Sequence, residues 1–243
     1  MILTTEQKEE LSVVINACMA MGMVHIVFAE GRFSALNENR TCAVIGAQKS
    51  LGMNEKTLVL SRIKEIKERL NSTEGGTVEL QFNGVGNAVR AINMKKGRTS
   101  VSYQCGFQSD TARLLKTIKD TPMWQLELSN TDVSEVLNAI KMMRPTVIGF
   151  SVDYKGSVKI KVKDEVEDCM VIDLENNALG SVGDETDDFD NVFNADMANR
   201  VLKFCQPKPS ASVQVCLGER GTLSFHTNLL SVYQFADMNS KND

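Results

Sequence analysis

Apolar residues recur along this chain with two spacings, one typical of helices and the other of strands. Leu11, Val14, Ile15 and Cys18 lie at helical intervals, and the preceding pair Thr4 and Gln7 has the spacing of a capping box. Similar patterns with polar opposite faces occur three more times. The sequence therefore predicts four helices, at residues 5–19 and 62–70, from Thr131 and Asp132 onward, and at about 195–205.

Short runs that alternate apolar and polar residues fill most of the sequence between these helices. The clearest is 157–163, where Val158, Ile160 and Val162 alternate with three lysines. The acidic stretch 175–190 is predicted to be a loop by its composition. Predicted strands elsewhere cover 23–29, 32–36, 41–46, 77–82, 88–94, 98–105, 124–128, 211–217, 222–226 and 230–236.

A unit of one helix followed by strands repeats along the chain, most plainly in residues 130–175 and 194–238. Aligning Asn130 with Asn194 places Val133, Leu137 and Ile140 of one helix at the offsets of Met197, Val201 and Phe204 in the other. One such unit cannot cover its own sheet, so the copies are expected to pack side by side. The pattern predicts an α+β protein with two similar halves, each made of two units.

The two halves give domain boundaries. We expect one domain over 1–107, a connector over 108–122 that ends in a proline, and a second domain over 123–243. Each half is long enough to bury its own core.

Charge is distributed unevenly, although the net charge is only −4. Twelve of the 31 acidic residues and no lysine or arginine lie between Asp164 and Asn199, which leaves 19 acids against all 27 bases elsewhere. An acidic chain can therefore still present a basic face to a polyanion.

Six single cysteines without a C-x-x-C pair predict reduced core residues. No apolar run is long enough for a membrane helix, and the N-terminus lacks a secretory leader pattern, so we expect an intracellular protein without membrane contact.

Catalytic motifs are missing from the sequence. Both histidines, His25 and His226, lie inside predicted strands, and Gly84-Val85-Gly86 lacks the third glycine and the helix of a dinucleotide site. The carboxylates of 184–190 could gather a divalent cation, although a solvated loop is the simpler interpretation. We expect no enzyme activity, no cofactor and no metal.

Three stretches resemble the sliding clamps that hold replicative DNA polymerases on their template. Residues 34–44 are similar to a strand-turn-strand of proliferating cell nuclear antigen. The other two stretches, 130–148 and 193–238, look closest to the clamps of T4-like bacteriophages. The resemblance spans nearly the whole chain.

This resemblance implies a homotrimeric ring with the four helices lining a central hole, the sheets outside, and duplex DNA held without sequence preference. An ATP-driven clamp loader would open the ring, which in a phage would act in the cytoplasm of the host cell. The polar helix faces supply the residues expected to contact DNA phosphates: Lys8, Arg62, Lys64, Lys67, Arg69, Lys141, Arg144, Arg200 and Lys203.

Clamps also bind a short apolar peptide of the polymerase or of other partners near the connector and the C-terminal strand. The positions that match that pocket are Leu36, Thr41, Ala43, Leu114, Leu115, Ile118, Tyr233, Phe235 and Ala236.

Three hypotheses follow from the sequence. The first is the ring that tethers a DNA polymerase, the second is a monomeric or dimeric processivity subunit that grips DNA by a basic face, and the third is a metal-dependent enzyme. Encirclement agrees best with a net acidic chain, because a grip by charge alone needs a strongly basic surface.

Overall fold

Two compact units, residues 1–118 and 119–243, make up the chain in a computed structural model. The structure describes residues 1–107, 113–115, 117–152, 157–166, 168–177, 179–180, 192–228 and 230–236. The division between the units falls inside the segment 108–122, whose role as a connector remains a prediction.

Unit 1 consists of two helices and two antiparallel sheets in its described part. One sheet has the strand order β4-β1-β2-β3 and the other the order β5-β6-β7. The elements are α1 (Thr5–Ala20), β1 (Met23–Ala29), β2 (Arg32–Asn37), β3 (Cys42–Ala47), β4 (Leu58–Leu60), α2 (Ile63–Ser72), β5 (Thr77–Phe82), β6 (Val89–Lys96) and β7 (Thr99–Gln104).

The start of α1 confirms the predicted capping box. The Gln7 backbone amide donates to Thr4 Oγ1 at 3.3 Å, and the Thr4 amide donates to Gln7 Oε1 at 2.9 Å. These bonds satisfy amides that a helix N-terminus otherwise leaves without partners. The predicted face, which includes Leu11 and Val14, is buried. Strand β4 was not predicted, because three apolar residues carry no periodicity.

In its described part, unit 2 repeats this plan of two helices and two antiparallel sheets. The strand orders are β11-β10-β9-β13 and β12-β8-β14-β15-β16. The elements are β8 (Pro122–Ser129), α3 (Asn130–Met143), β9 (Val147–Val152), β10 (Ser157–Lys163), β11 (Cys169–Asn177), β12 (Leu179–Gly180), β13 (Val192–Asn194), α4 (Ala195–Cys205), β14 (Ser212–Gly218), β15 (Thr222–His226) and β16 (Leu230–Phe235).

The repeat within unit 2 has a different register from the predicted one. The N-caps of α3 and α4 are Ser129 and Asn194, which are 65 residues apart, whereas the predicted alignment used 64. The same shift matches buried Val133 with Ala198, and Ile140 with Cys205. The alignment of Val133, Leu137 and Ile140 with Met197, Val201 and Phe204 was therefore wrong by one position.

The caps explain this error. Ser129 and Asp132 form the capping box of α3, so the helix begins before the predicted Thr131 and Asp132. In α4 the Asn194 side chain accepts from the Met197 amide at 3.0 Å. A sequence with several cap-forming residues close together, such as Ser129 and Thr131, does not show which one is the cap.

The predicted loop 175–190 is wrong at its beginning. Strand β11 continues to Asn177, and β12 covers 179–180. The remainder of that stretch, including the possible metal ligands 184–190, lies outside the described residues.

Aromatic rings form part of the core of unit 2. Phe150 lies 6.2 Å from Trp124 and 6.3 Å from Phe193 between ring centroids, and all three side chains are buried. Burial of each ring stabilises the fold by about 1.5–3 kcal/mol. Among the residues that the structure describes, no helix is both long and apolar enough to cross a bilayer.

Candidate nucleic-acid interface

Helices α3 and α4 of unit 2 are tied together at one end by side-chain hydrogen bonds. Gln206 Nε2 donates to Ser134 Oγ at 3.0 Å, and Asn130 Nδ2 donates to the Pro207 carbonyl oxygen at 2.6 Å. The start of α3 thus meets the end of α4, and the helices run antiparallel. The last turn of α3 consequently lies beside the first turns of α4.

A groove of about 400 Å³ lies at that other end of the helix pair. It brings together three of the bases predicted to contact DNA, Lys141, Arg144 and Lys203, and all three are exposed. Asp196 also lines the groove, together with Leu137, Asn138, Ile140, Pro145 and Asn199. Three cations against one carboxylate give this groove a net positive charge, which suits a phosphate.

Arg144 ends α3 in a left-handed backbone conformation, with φ 48° and ψ 51°. Its amide donates to the Ile140 carbonyl oxygen at 3.0 Å, which closes the last turn. Lys141 and Arg144 also lie at the negative end of the helix dipole, where a cation is favoured. Arg200 is exposed on α4 but does not line the groove.

Lys8 on α1 of unit 1 is partly committed to the protein itself. Its Nζ donates to the Gly76 carbonyl oxygen at 3.2 Å, and the side chain is half-buried. This contact links the first turns of α1 to the segment after α2. Helices α1 and α2 also pack against each other. A phosphate would have to share Lys8 with that carbonyl.

Arg62 and Arg69 on α2 reach the strand β7, a placement that the sequence did not reveal. Arg69 Nη1 donates to the Ser102 carbonyl oxygen at 2.9 Å, and Arg62 Nη2 donates to that of Gln104 at 3.2 Å. Glu65 binds both guanidinium groups, at 3.0 Å from Arg62 and 3.3 Å from Arg69. The spacing of Arg62, Glu65 and Arg69 along the helix is visible in the sequence. Their contact with β7 is not, because that strand lies more than 30 residues further along the chain.

The ring of Tyr103 on β7 contacts the guanidinium groups of both arginines. The guanidinium carbons of Arg62 and Arg69 lie 5.0 and 5.6 Å from its ring centroid, within the range of cation–π attraction. Its hydroxyl oxygen accepts from the backbone amides of Ser61 and Arg62, both at 3.1 Å. Arg62 is the N-cap residue of α2, but its side chain makes no capping hydrogen bond. The hydroxyl of the buried Tyr103 takes that role instead.

Lys64 and Lys67 complete the predicted set on α2. Lys64 is exposed and Lys67 is half-buried. In the described part of the chain, then, the bases differ in availability. Those of the α3–α4 groove are open to solvent, whereas Lys8, Arg62 and Arg69 already bind backbone carbonyls.

The predicted partner-binding residues of unit 1 lie around β2, β3 and the segment 113–118. Leu36 is half-buried and pairs with Ala43 across the two strands, and Ala43 is fully buried, which leaves it no side-chain surface for a partner. Thr41 Oγ1 accepts from Asn37 Nδ2 at 2.9 Å.

Backbone and side-chain contacts hold the segment 113–115 against unit 1. Leu114 packs on buried Val27 and Val59, and the Leu115 amide donates to Ser34 Oγ at 2.8 Å. Ile118 is half-buried. This segment is thus anchored by an apolar contact and a hydrogen bond, a detail that the sequence did not predict.

In unit 2 the predicted partner-binding residues Tyr233 and Phe235 lie within β16, and Ala236 follows its end. Tyr233, Phe235 and Ala236 are half-buried, and the Tyr233 ring contacts His226 edge to face at 6.1 Å. Asp120, which was not predicted, accepts from the amides of Arg220 and Thr222 at 3.0 and 3.2 Å. Whether these residues receive a peptide remains a prediction.

Burial affects the ionisation of several thiols and of one histidine among the described residues. Burial raises the pKa of Cys105 and Cys205 to about 12, so both thiols stay protonated at neutral pH. Cys169 is exposed, which corrects the expectation that all six cysteines are core residues. Burial lowers the pKa of His226, whose ring nitrogens contact Ser224 and Ser231. No group of three potential metal ligands occurs among the residues described.

Comparison with known proteins identifies the fold. No protein-family model matches the sequence, and no curated protein is similar to it in sequence. Among solved structures, however, the chain has the fold of the DNA sliding clamps, which confirms the predicted α+β architecture.

Three of these structures illustrate the likeness. PCNA of A. fulgidus, bound to the C-terminal region of FEN-1, is 15% identical with a TM-score of 0.66 over 98% of this chain and 97% of its own. A chain of the PCNA2–PCNA3 complex from Sulfolobus tokodaii is 11% identical, with a TM-score of 0.65 over 97% and 99%.

A putative DNA polymerase III beta subunit from Eubacterium rectale is 10% identical, with a TM-score of 0.70. The match covers 97% of this chain and 64% of that one.

Proposed function

We propose that this chain is a DNA sliding clamp that encircles duplex DNA and tethers a replicative DNA polymerase. The observation that carries the proposal is the likeness of nearly the entire chain to sliding clamps, at TM-scores of 0.64–0.70 in spite of 10–15% identity. A likeness of that extent includes both units and all four helices. The ring itself, its number of subunits and its partners are parts of the proposal.

The bases on the helices support contact with DNA. Every helix, or its cap, carries at least one base of the predicted set, and the α3–α4 groove collects three. In a clamp that slides along DNA, these bases would contact phosphates, because phosphate contacts carry no sequence information. A ring needs only weak contacts of this kind, because the closed ring of subunits itself keeps the DNA inside.

Two open sheet edges support closure of a ring. Within the described residues, β7 pairs only with β6, and β11 pairs only with β10. Such edges present unpaired backbone donors and acceptors that invite another strand. Pairing β7 of one copy with β11 of the next is a head-to-tail contact, and three copies would close it into a trimer.

The charges beside the two edges are complementary. Exposed Lys95, Lys96 and Arg98 lie at the β6–β7 turn, whereas exposed Asp168 and Asp173 lie before and within β11. Opposite charges steer such an encounter and disfavour contacts between like edges. The same arrangement would make the contact weaker at high salt.

Partner binding completes the proposal. Half-buried residues of the predicted partner-binding set, such as Leu36 in unit 1 and Phe235 in unit 2, each offer apolar surface to a short peptide of the polymerase or of a clamp loader. A loader ATPase would open the ring, as the resemblance to sliding clamps implies.

A linearisation experiment tests the encirclement. The protein is loaded on nicked circular DNA with a loader, or at high concentration without one, and the circle is then cut at a single site. A ring slides off the free ends, so we expect loss on cutting at moderate salt, while the uncut circle retains the protein. Retention on the cut DNA until the salt is raised would identify a subunit that grips DNA by charge and would refute the ring.

The mass in solution gives an independent test. Light scattering from nanomolar to micromolar concentrations should show a trimer of about three times the 26.8 kDa chain mass. A chain that remains monomeric or dimeric over this range would refute the trimer.

A further inference from the structure

The edge of β7 is covered by two arginine side chains. Cys105 donates its amide to the Arg90 carbonyl oxygen at 2.9 Å, and Tyr103 pairs with Ile92. In an antiparallel ladder, hydrogen-bonded pairs alternate with pairs whose backbone groups point outward. The backbone groups of Ser102 and Gln104 therefore point away from β6, toward the open edge.

Those two outward carbonyls are the acceptors that Arg69 and Arg62 occupy. Glu65 holds both guanidinium groups from the helix side, and the ring of Tyr103 lies under them. The three charged side chains form an arginine cover, defined here as Arg62, Glu65 and Arg69, on the edge that the proposed function assigns to the subunit contact.

We propose that the arginine cover is displaceable, and that the occupant which displaces it is the β11 strand of a second copy of this chain. The inference rests on the proposed function for the identity of that strand. A second strand would place its own amides opposite the Ser102 and Gln104 carbonyls, where the guanidinium groups now donate. The cover and the strand compete for the same acceptors.

The contacts of the cover are of a kind that can be exchanged. Arg62 and Glu65 expose 46% and 44% of their side chains, and Arg69 exposes 30%, so water screens the ion pairs and they add little stability. The carbonyls lose no hydrogen bonds when a strand replaces the arginines. The acidic residues beside β11 would attract the released guanidinium groups.

Displacement would also make Arg62 and Arg69 available for the DNA binding that the sequence predicts for them. In the single chain they bind their own strand, and in the ring they are released toward other anions, which include DNA phosphates. Ring closure and DNA binding are then coupled, and the coupling is reciprocal. DNA should favour the closed junction by as much as closure favours DNA.

The association constant of the protein with itself, measured without DNA, tests whether the arginine cover competes with the incoming strand. The variant Arg62→Met/Arg69→Met removes it, and Lys64→Met/Lys67→Met removes the same charge from the same helix without touching the β7 carbonyls. We expect the first variant to associate at least about tenfold more tightly than the second, because two charge-assisted hydrogen bonds no longer oppose the strand. Sedimentation equilibrium at several salt concentrations measures both constants.

A second pair of variants tests the cover with single, smaller substitutions, in case the double arginine variant does not fold. Glu65→Gln loosens the cover, while Glu68→Gln makes the same charge change at an exposed position of the helix. Glu65→Gln should also associate more tightly than its control, by a smaller factor. Circular dichroism confirms that each variant is folded.

The outcomes separate the cover from the ring. Equal or weaker association of Arg62→Met/Arg69→Met relative to its lysine control, with Glu65→Gln also equal to its control, overturns the displaceable cover even if the wild-type protein forms a trimer. Retention of the wild-type protein on linearised DNA refutes the ring, whatever the variants do.

Discussion

Tyr103 and Arg62 meet through both backbone and side chain. The Tyr103 hydroxyl oxygen accepts the Arg62 amide at 3.1 Å, while the guanidinium of the same arginine lies 5.0 Å from the ring centroid. One buried tyrosine on β7 thus caps the start of α2 and supports its charged side chains. Helix and strand are consequently joined at the point where the arginine cover lies.

Removing the hydroxyl should weaken this joint. Tyr103→Phe keeps the ring but leaves the amides of Ser61 and Arg62 without their acceptor. We expect a loss of about 1–2 kcal/mol in the free energy of unfolding, comparable to the loss of a helix cap. Urea unfolding measures it.

The control for this variant is Tyr233→Phe, which removes a hydroxyl from a half-buried tyrosine of unit 2. It should change the free energy of unfolding by less than about 0.5 kcal/mol. Equal losses in both variants would show that the Tyr103 hydroxyl has no special role as a cap.

Glu10 provides a prediction about pH. Its carboxylate accepts four hydrogen bonds, from the amides of Lys49, Ser50 and Leu51 at 2.6, 2.7 and 2.8 Å and from Ser50 Oγ at 2.7 Å. Burial by itself raises the pKa of Glu10, but these bonds favour the charged form and leave the pKa below its ordinary value of 4.5.

A lowered pKa in the folded state means that Glu10 stabilises the protein fully above pH 4.5 and loses this effect as the pH falls through the folded-state pKa. Glu10→Gln should therefore cost about 1 kcal/mol at pH 7, after allowance for screening by solvent, and less at pH 3. Urea unfolding at the two pH values measures the difference.

The neighbouring Glu9→Gln is the control, since Glu9 is exposed on the same helix. Its effect should be small at both pH values. A cost for Glu10→Gln that stays constant between pH 7 and pH 3 would contradict the role assigned to the ionised carboxylate.

Gly76 is required by close backbone approach and not by its backbone angle. A Cβ atom at this position would overlap the Lys95 carbonyl oxygen and lie 2.9 Å from that of Thr73. Gly76→Ala should therefore destabilise unit 1 by about 1–3 kcal/mol, since the backbone must move.

Gly84→Ala is the matched control, because a Cβ atom there meets no other atom within 4 Å. Its effect on the free energy of unfolding should be below about 1 kcal/mol and can be stabilising. Thermal unfolding of the two variants compares them directly. Similar midpoints would mean that the segment after α2 adjusts without cost.

The sequence predicted those parts of the fold that depend on local patterns. The capping box of Thr4 and Gln7 involves residues three apart, and the alternation in β10 involves neighbours, so both were predicted correctly. The start of α3 was not, because Ser129 and Thr131 are both able to cap a helix and only the fold selects one.

The candidate site was predictable in composition but not in its contacts. The bases at Lys141, Arg144 and Lys203 were predicted one by one, while their common groove depends on the packing of α3 against α4. The contact from Arg69 to Ser102 joins residues 33 positions apart, and no sequence spacing shows it. Periodicity reports which face of an element is polar but not what that face binds.

The α3–α4 groove leads to the last prediction, which concerns the salt dependence of DNA binding. Each phosphate that a cation neutralises adds about 0.9 to the slope of log K against log salt concentration, so Lys141→Met/Lys203→Met should lower this slope by roughly 1.8. A short linear duplex can enter a ring from its ends, and fluorescence anisotropy of such a duplex gives the affinity at each salt concentration.

Strand β10 supplies the charge-matched control. Val158, Ile160 and Val162 are buried on the face of β10 toward α3, so Lys159 and Lys161 lie on the opposite face of the sheet. Lys159→Met/Lys161→Met should leave the slope unchanged within about 0.5, because a screened charge on that face does not replace a bound counterion. If both double variants lower the slope equally, the protein responds to its net charge alone, and the groove is not where the duplex lies.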